Sequence, residues 1–132
     1  MSDAGAALQA GAMARIGAVG GLAGVWPGAP LQTIVPYAIV EAGAATDWGC
    51  KGREGREVRL SIAVYDDGER PQRIQSLMSA VEAALAEPPP CSGWQIASFA
   101  FVRSRLLRQG RGGSGGWAGS LEFRARLLAL PS

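Results

Sequence analysis

At 132 residues the chain has the length of one domain, and a composition that is 48% hydrophobic and 18% charged excludes wholesale disorder. It contains no histidine, so His-dependent triads, His general bases and the common zinc sites are excluded, while Cys50 and Cys91 lack CxxC spacing and read as ordinary reduced thiols. The net charge of +2 hides an asymmetry: residues 1–90 carry seven basic and ten acidic side chains, and residues 91–132 carry six arginines against Glu122 alone.

Leu8, Ala12 and Ile16 recur at spacings of four, with Ala4 and Val19 extending the stripe, and predict a helix over 3–18. Ser2 or Asp3 can cap it. Gly20 to Pro36 has loop chemistry, within which Val25-Trp26 is either a short strand or an anchor for the loop. The uncharged run from Ile16 to Val40 is broken by Pro27, Pro30 and Pro36, so no helix spans a membrane there. The start of the chain lacks the basic region of a signal peptide, so the protein is expected to be cytosolic where it is made. Tyr37 to Glu41 then reads as a strand, followed by a hairpin-like connection through Gly43, Gly49, Gly52 and Gly55.

Alternation is clearest from Glu57 to Tyr65, where Val58, Leu60, Ile62 and Val64 share one face. Asp66-Asp67-Gly68 ends that strand and leads into a helix whose stripe is Ile74, Leu77, Met78, Val81 and Leu85. Pro88-Pro89-Pro90 stops it. Two long strands, about Trp94–Leu107 and Trp117–Leu130, flank the glycine-rich segment 110–116. The expected fold is a single α+β domain over 1–132 in the order α-β-β-α-β-β. Its antiparallel sheet has about four main strands, with two helices packed on one face.

Such a sheet leaves one face without helices. Alternation in the last strand puts Leu121, Phe123, Ala125 and Leu127 inward and Glu122, Arg124, Arg126 and Leu128 outward. In the strand before it, Ile96, Ser98, Ala100, Val102 and Leu106 are read as inward. Phe99, Phe101, Arg103 and Arg105 would then join Arg124 and Arg126 on the outer face. Aromatics mixed with arginine are enriched at protein interfaces, so these six residues form the candidate interface for a subunit or partner. The glycine-rich segment lacks the ending of a phosphate loop and leads into a strand, which favours a hairpin tip. Glu54, Glu57, Asp66, Asp67 and Glu69 alternate with arginines at turns and strand ends, a pattern of solvated ion pairs. No catalytic residue, cofactor site or metal site is expected.

Three stretches carry a family resemblance: Pro36-Tyr37-Ala38-Ile39-Val40, Thr46-Asp47-Trp48-Gly49, and Arg56-Glu57-Val58-Arg59-Leu60-Ser61-Ile62-Ala63-Val64-Tyr65. The helix from Ile74 to Leu85 and Arg105-Leu106-Leu107-Arg108 continue it. Together they resemble the tail-terminator, or tail-completion, proteins of long-tailed phages and gene transfer agents. The resemblance implies a homo-oligomer, a hexameric ring at the head-proximal end of the tail of a virion-like particle. Such a ring caps the tail tube, ends its growth and joins it to head–tail connector proteins, with DNA only as passing cargo and no membrane. Asp47, Trp48, Lys51 and Arg53 in one loop, with Arg108 and Arg111 in the other, are the expected contacts to the tube protein or the connector. The alternative is a non-specific nucleic-acid-binding accessory module using the C-terminal arginines.

Overall fold

In the structure, a computed structural model that describes residues 3–30, 34–109 and 115–131, the Ala-rich start forms α1 (Ala4–Gly17). Asp3 is its cap, with Oδ1 accepting from the amides of Gly5 at 2.8 Å and Ala6 at 3.4 Å. Of the expected stripe, Ala4, Leu8, Ala12 and Ile16 are buried, while Val19 lies past the helix end and is half-buried. Gly11 shares that side because the backbone of the triproline segment comes so close that a Cβ there would lie 1.7 Å from the Pro90 carbonyl oxygen. Arg15 extends from the same helix to donate to the carbonyls of Ala84, Glu87 and Pro88 at 3.2–3.3 Å. It thereby satisfies the C-terminal end of α2 (Gln72–Ala84), whose own last turn has no basic residue.

The strands are β1 (Gly24–Trp26), β2 (Tyr37–Asp47), β3 (Gly55–Asp66), β4 (Trp94–Arg108) and β5 (Trp117–Ala129). They form one sheet in the order β1-β2-β3-β5-β4. The sheet has five strands and is mixed, where four antiparallel strands were expected. The additional strand is β1, which pairs parallel to β2 through Gly24–Tyr37, Val25–Ala38 and Trp26–Ile39. Three residues between glycines and prolines offer no alternation to read, so only pairing with β2 defines it. The other three pairings are antiparallel.

The β2–β3 hairpin is longer than expected. A bulge between Ala42 and Ala45 carries β2 on to Asp47. The tip is then tight: Cys50 and Arg53 exchange backbone hydrogen bonds at 3.1 and 2.9 Å, and Gly52 supplies the positive φ, +85°, that this turn needs.

Both helices cover one side of the sheet. Leu8 and Ile16 of α1 and Ile74, Leu77 and Val81 of α2 meet Val40, Val58, Leu60, Ile62, Val64, Leu121, Phe123 and Leu127 in one buried cluster. Asp66, at the end of β3, is also buried, and Arg73 in the first turn of α2 answers it with two hydrogen bonds, Nε to Oδ2 at 2.8 Å and Nη2 to Oδ1.

β4 departs furthest from simple alternation. Register shifts fall between Ile96 and Ser98 and between Phe101 and Arg103, so Ala97 and Val102 are inserted residues. Each bulge reverses which side the following residues face. Phe99 and Phe101 therefore stand opposite Ala125 and Phe123 on the helix side, and Ser98 and Ala100 stand opposite Arg126 and Arg124 on the other. Both assignments reverse the expected ones. Phe99 stacks on Phe123 with centroids 5.1 Å apart, and Phe101 meets it edge-on at 5.6 Å. The second bulge restores the phase, so Arg103 and Arg105 face outward as expected.

Candidate functional site

The side of the sheet without helices is an ionic lattice built by alternation along three adjacent strands. β3 presents Glu57 and Arg59, β5 presents Glu122, Arg124 and Arg126, and β4 presents Arg103 and Arg105. Each carboxylate lies between two guanidinium groups. Glu57 Oε1 is 3.0 Å from Arg126 Nε and 4.0 Å from Arg124 Nε. Glu122 accepts from Arg103 Nε at 2.7 Å and from Arg59 Nη1 at 3.4 Å. These pairs are partly exposed, worth roughly 0.2–1 kcal/mol each, and fix side-chain positions more than they stabilise the fold. With both phenylalanines on the far side, the expected Phe–Arg mixture is replaced by a surface of charges with small residues between them.

Four of the six expected interface residues thus lie together: Arg103, Arg105, Arg124 and Arg126. The expected loop residues separate further. Asp47 accepts from the Gly49 amide at 3.0 Å and lies 3.7 Å from Arg56. Trp48 is half-buried beneath Arg126, whose guanidinium carbon is 5.6 Å from the ring centroid. Lys51 is exposed at the hairpin tip. Arg53 turns back on the domain, donating to Gln95 Oε1 at 3.1 Å and the Ala129 carbonyl at 3.0 Å, and so ties the tip to β4 and β5. Arg108 lies over Trp117 at 5.2 Å. Arg111 lies outside the described residues.

Two strand edges complete the surface. Among the described residues β4, 15 residues long, pairs with no strand but β5, which leaves its other side without a strand partner. At the opposite end of the sheet β1 covers only Tyr37–Ile39 of β2. Gln9 of α1 donates to the next carbonyl, Val40, at 2.8 Å, and among the described residues the remainder of β2, from Glu41 on, has no strand beside it. Of the exposed large hydrophobic side chains, Phe101, Val102 and Leu107 all belong to β4.

Among the described residues no group of three or more His, Cys, Asp or Glu side chains could hold a metal ion. The hydrogen bonds from Arg73 hold the Asp66 carboxyl below the usual carboxylate range, and burial pushes the Cys91 thiol up, away from the reactive thiolate. Sequence reasoning missed the Asp66–Arg73 pair. Its signal was present in the spacing, since a carboxylate ending a strand and an arginine in the first turn of the next helix are brought together by a short connection.

The family profile described as "Tail completion protein gp17" matches residues 3–128. The chain belongs to the tail completion protein family. The matched span includes both helices, the ionic lattice and both open edges, and the family makes this a structural tail protein of a phage-like particle. A chain from the structure "Virion of native gene transfer agent (GTA) particle" is similar in fold, with a TM-score of 0.73 and 22% sequence identity. The likeness covers 94% of this chain and 96% of that one. No curated protein matches this sequence. No helix among the described residues is long and apolar enough to cross a membrane.

Proposed function

We propose that this tail completion protein is the ring subunit that caps the tail tube, ends tube polymerisation and joins the tail to the head connector. It would act without catalysis, as a hexamer at the head-proximal end of the particle, with DNA passing through the opening. The observation that carries this reading is the family match over residues 3–128, nearly the whole chain. The open strand edges and the charged face supply surfaces for such assembly, and Asp47, Trp48 and Lys51 at the β2–β3 tip are offered as contacts to tube or connector.

The test is a particle preparation from a strain lacking this protein. Tails of irregular length that fail to join heads are the expected result, with normal length and joining restored by the intact chain. Tails of normal length attached to heads would overturn the proposal. The nucleic-acid reading draws on the arginine excess of the sheet face, but Glu57 and Glu122 already engage Arg59, Arg103, Arg124 and Arg126. Counterion release needs cations free to neutralise phosphate, so those four are poorly disposed for it.

A further inference from the structure

The two open edges lie at opposite ends of one sheet, and their polarities decide how they can meet. β2 is antiparallel to β3, β3 to β5 and β5 to β4. Three reversals make β4 antiparallel to β2. Two copies placed side by side by a rotation that keeps the sheet running in one sense would bring β4 of one copy against β2 of the next. Such a contact is head-to-tail, uses two different patches, and closes into a ring when the rotation divides a circle.

The side chains along the two edges are complementary. One row of paired residues crosses the whole sheet: Glu41 faces Ser61, Ser61 faces Glu122, and Glu122 faces Arg103. All four share the side without helices. Extending the row into a neighbour at the same level places that neighbour's Glu41 beside Arg103, with Arg105 two residues along. Among the described residues neither Glu41 nor Arg105 takes part in an ion pair within its own chain, and both are exposed. The adjacent row runs Ala42, Leu60, Phe123 and Phe101, ending on the helix side in a Phe101 that is 44% exposed. The same extension sets Phe101 against the neighbour's Ala42 and the start of its α1, where Gly5 packs beside the Ala42 methyl.

We propose that copies of this chain join by antiparallel addition of β4 to the open part of the neighbour's β2, residues 41–47, with Glu41 facing Arg103 and Arg105 across the junction. The proposal rests on the ring reading and specifies the surface that reading leaves undefined. Backbone hydrogen bonds supply the continuity, and the charges select this pairing over β4 on β4, which would set arginines against arginines.

The test is disulfide formation in purified particles carrying Glu41→Cys with Arg103→Cys, or Glu41→Cys with Arg105→Cys. Chains with only one new cysteine control for Cys50 and Cys91. Within one chain β2 and β4 are three strand spacings apart, about 14 Å, too far for a disulfide, so any bond must join two copies. A ladder of cross-linked multimers in at least one pair, absent from the controls, is the expected result. Protein present in tails without cross-links in either pair would overturn the edge junction and leave the ring reading standing. Protein absent from wild-type tails would overturn both. A second measurement guards against cysteine variants that fail to assemble. Glu41→Arg and Arg105→Glu should each cause loss of the protein from tails, and the two together should restore it. Loss that persists in the doubly reversed chain, despite unchanged folding by circular dichroism, would count against the pairing.

Discussion

Asp66 lies buried where β3 hands over to α2, and its two hydrogen bonds to Arg73 fasten the helix to the strand end. A buried carboxylate held this way has a depressed pKa, so its contribution is present above the ordinary carboxylate value and is lost as pH falls through the folded one. Thermal stability should therefore decline below about pH 4, and Asp66→Asn should flatten that decline while costing about 1.5–3 kcal/mol at neutral pH. Melting curves of both chains from pH 2 to pH 7 would check it; parallel curves would refute the role given to Asp66. The phenylalanines offer a second contrast. Phe123 is 2% exposed at the centre of the aromatic group, so Phe123→Ala should cost about 3–5 kcal/mol in denaturant unfolding. Phe101, open on one side, should cost only about 1 kcal/mol when cut to alanine. Equal costs would mean that Phe101 is covered within its own chain.

Two glycines of α1 separate helix propensity from packing. Intrinsic propensity favours alanine over glycine by about 1 kcal/mol inside a helix. At Gly17 nothing beyond the neighbouring residues and the helix's own backbone lies within 4 Å of an added Cβ, so Gly17→Ala should stabilise by roughly half that amount, given its place at the helix end. At Gly11 the Pro90 carbonyl occupies the space, and Gly11→Ala should destabilise by about 1–3 kcal/mol despite the better propensity. A stabilised Gly11→Ala chain would show that the triproline segment can move away. Elements such as α1, β3 and α2 were legible because one hydrophobic period runs through each without interruption. β4 was legible as a strand but not as a pair of faces. Alternation read from Trp94 onward puts Phe99 outward, and the inserted Ala97 that reverses it has no mark in composition, since a bulge is defined by the partner strand's register. The same limit left Val25-Trp26 undecided between a short strand and an anchor, and it divided the six expected interface residues into four that share a face and two that do not.

At the scale of the molecule the question is whether the edge strand belongs to the same cooperative unit as the core. Trp94 is buried with the central cluster, and Ile96, Phe99 and Leu106 pack against it, so both ends and the middle of β4 are tied in. Arg53 adds a link from the β2–β3 tip to Gln95 and Ala129, and Arg15 joins α1 to the end of α2. A chain laced in this way should unfold in one transition, with calorimetric and van't Hoff enthalpies in agreement. Along β4 of the isolated chain, hydrogen exchange should alternate: amides directed at β5 reach the protection of β3, and amides on the open edge exchange freely. Two resolved transitions, or fast exchange at every β4 amide while β3 stays protected, would show that the β4–β5 hairpin opens as a separate unit. The edge would then be created on assembly, and the preformed polarity that matches β4 to a neighbour's β2 would have no role in ring closure.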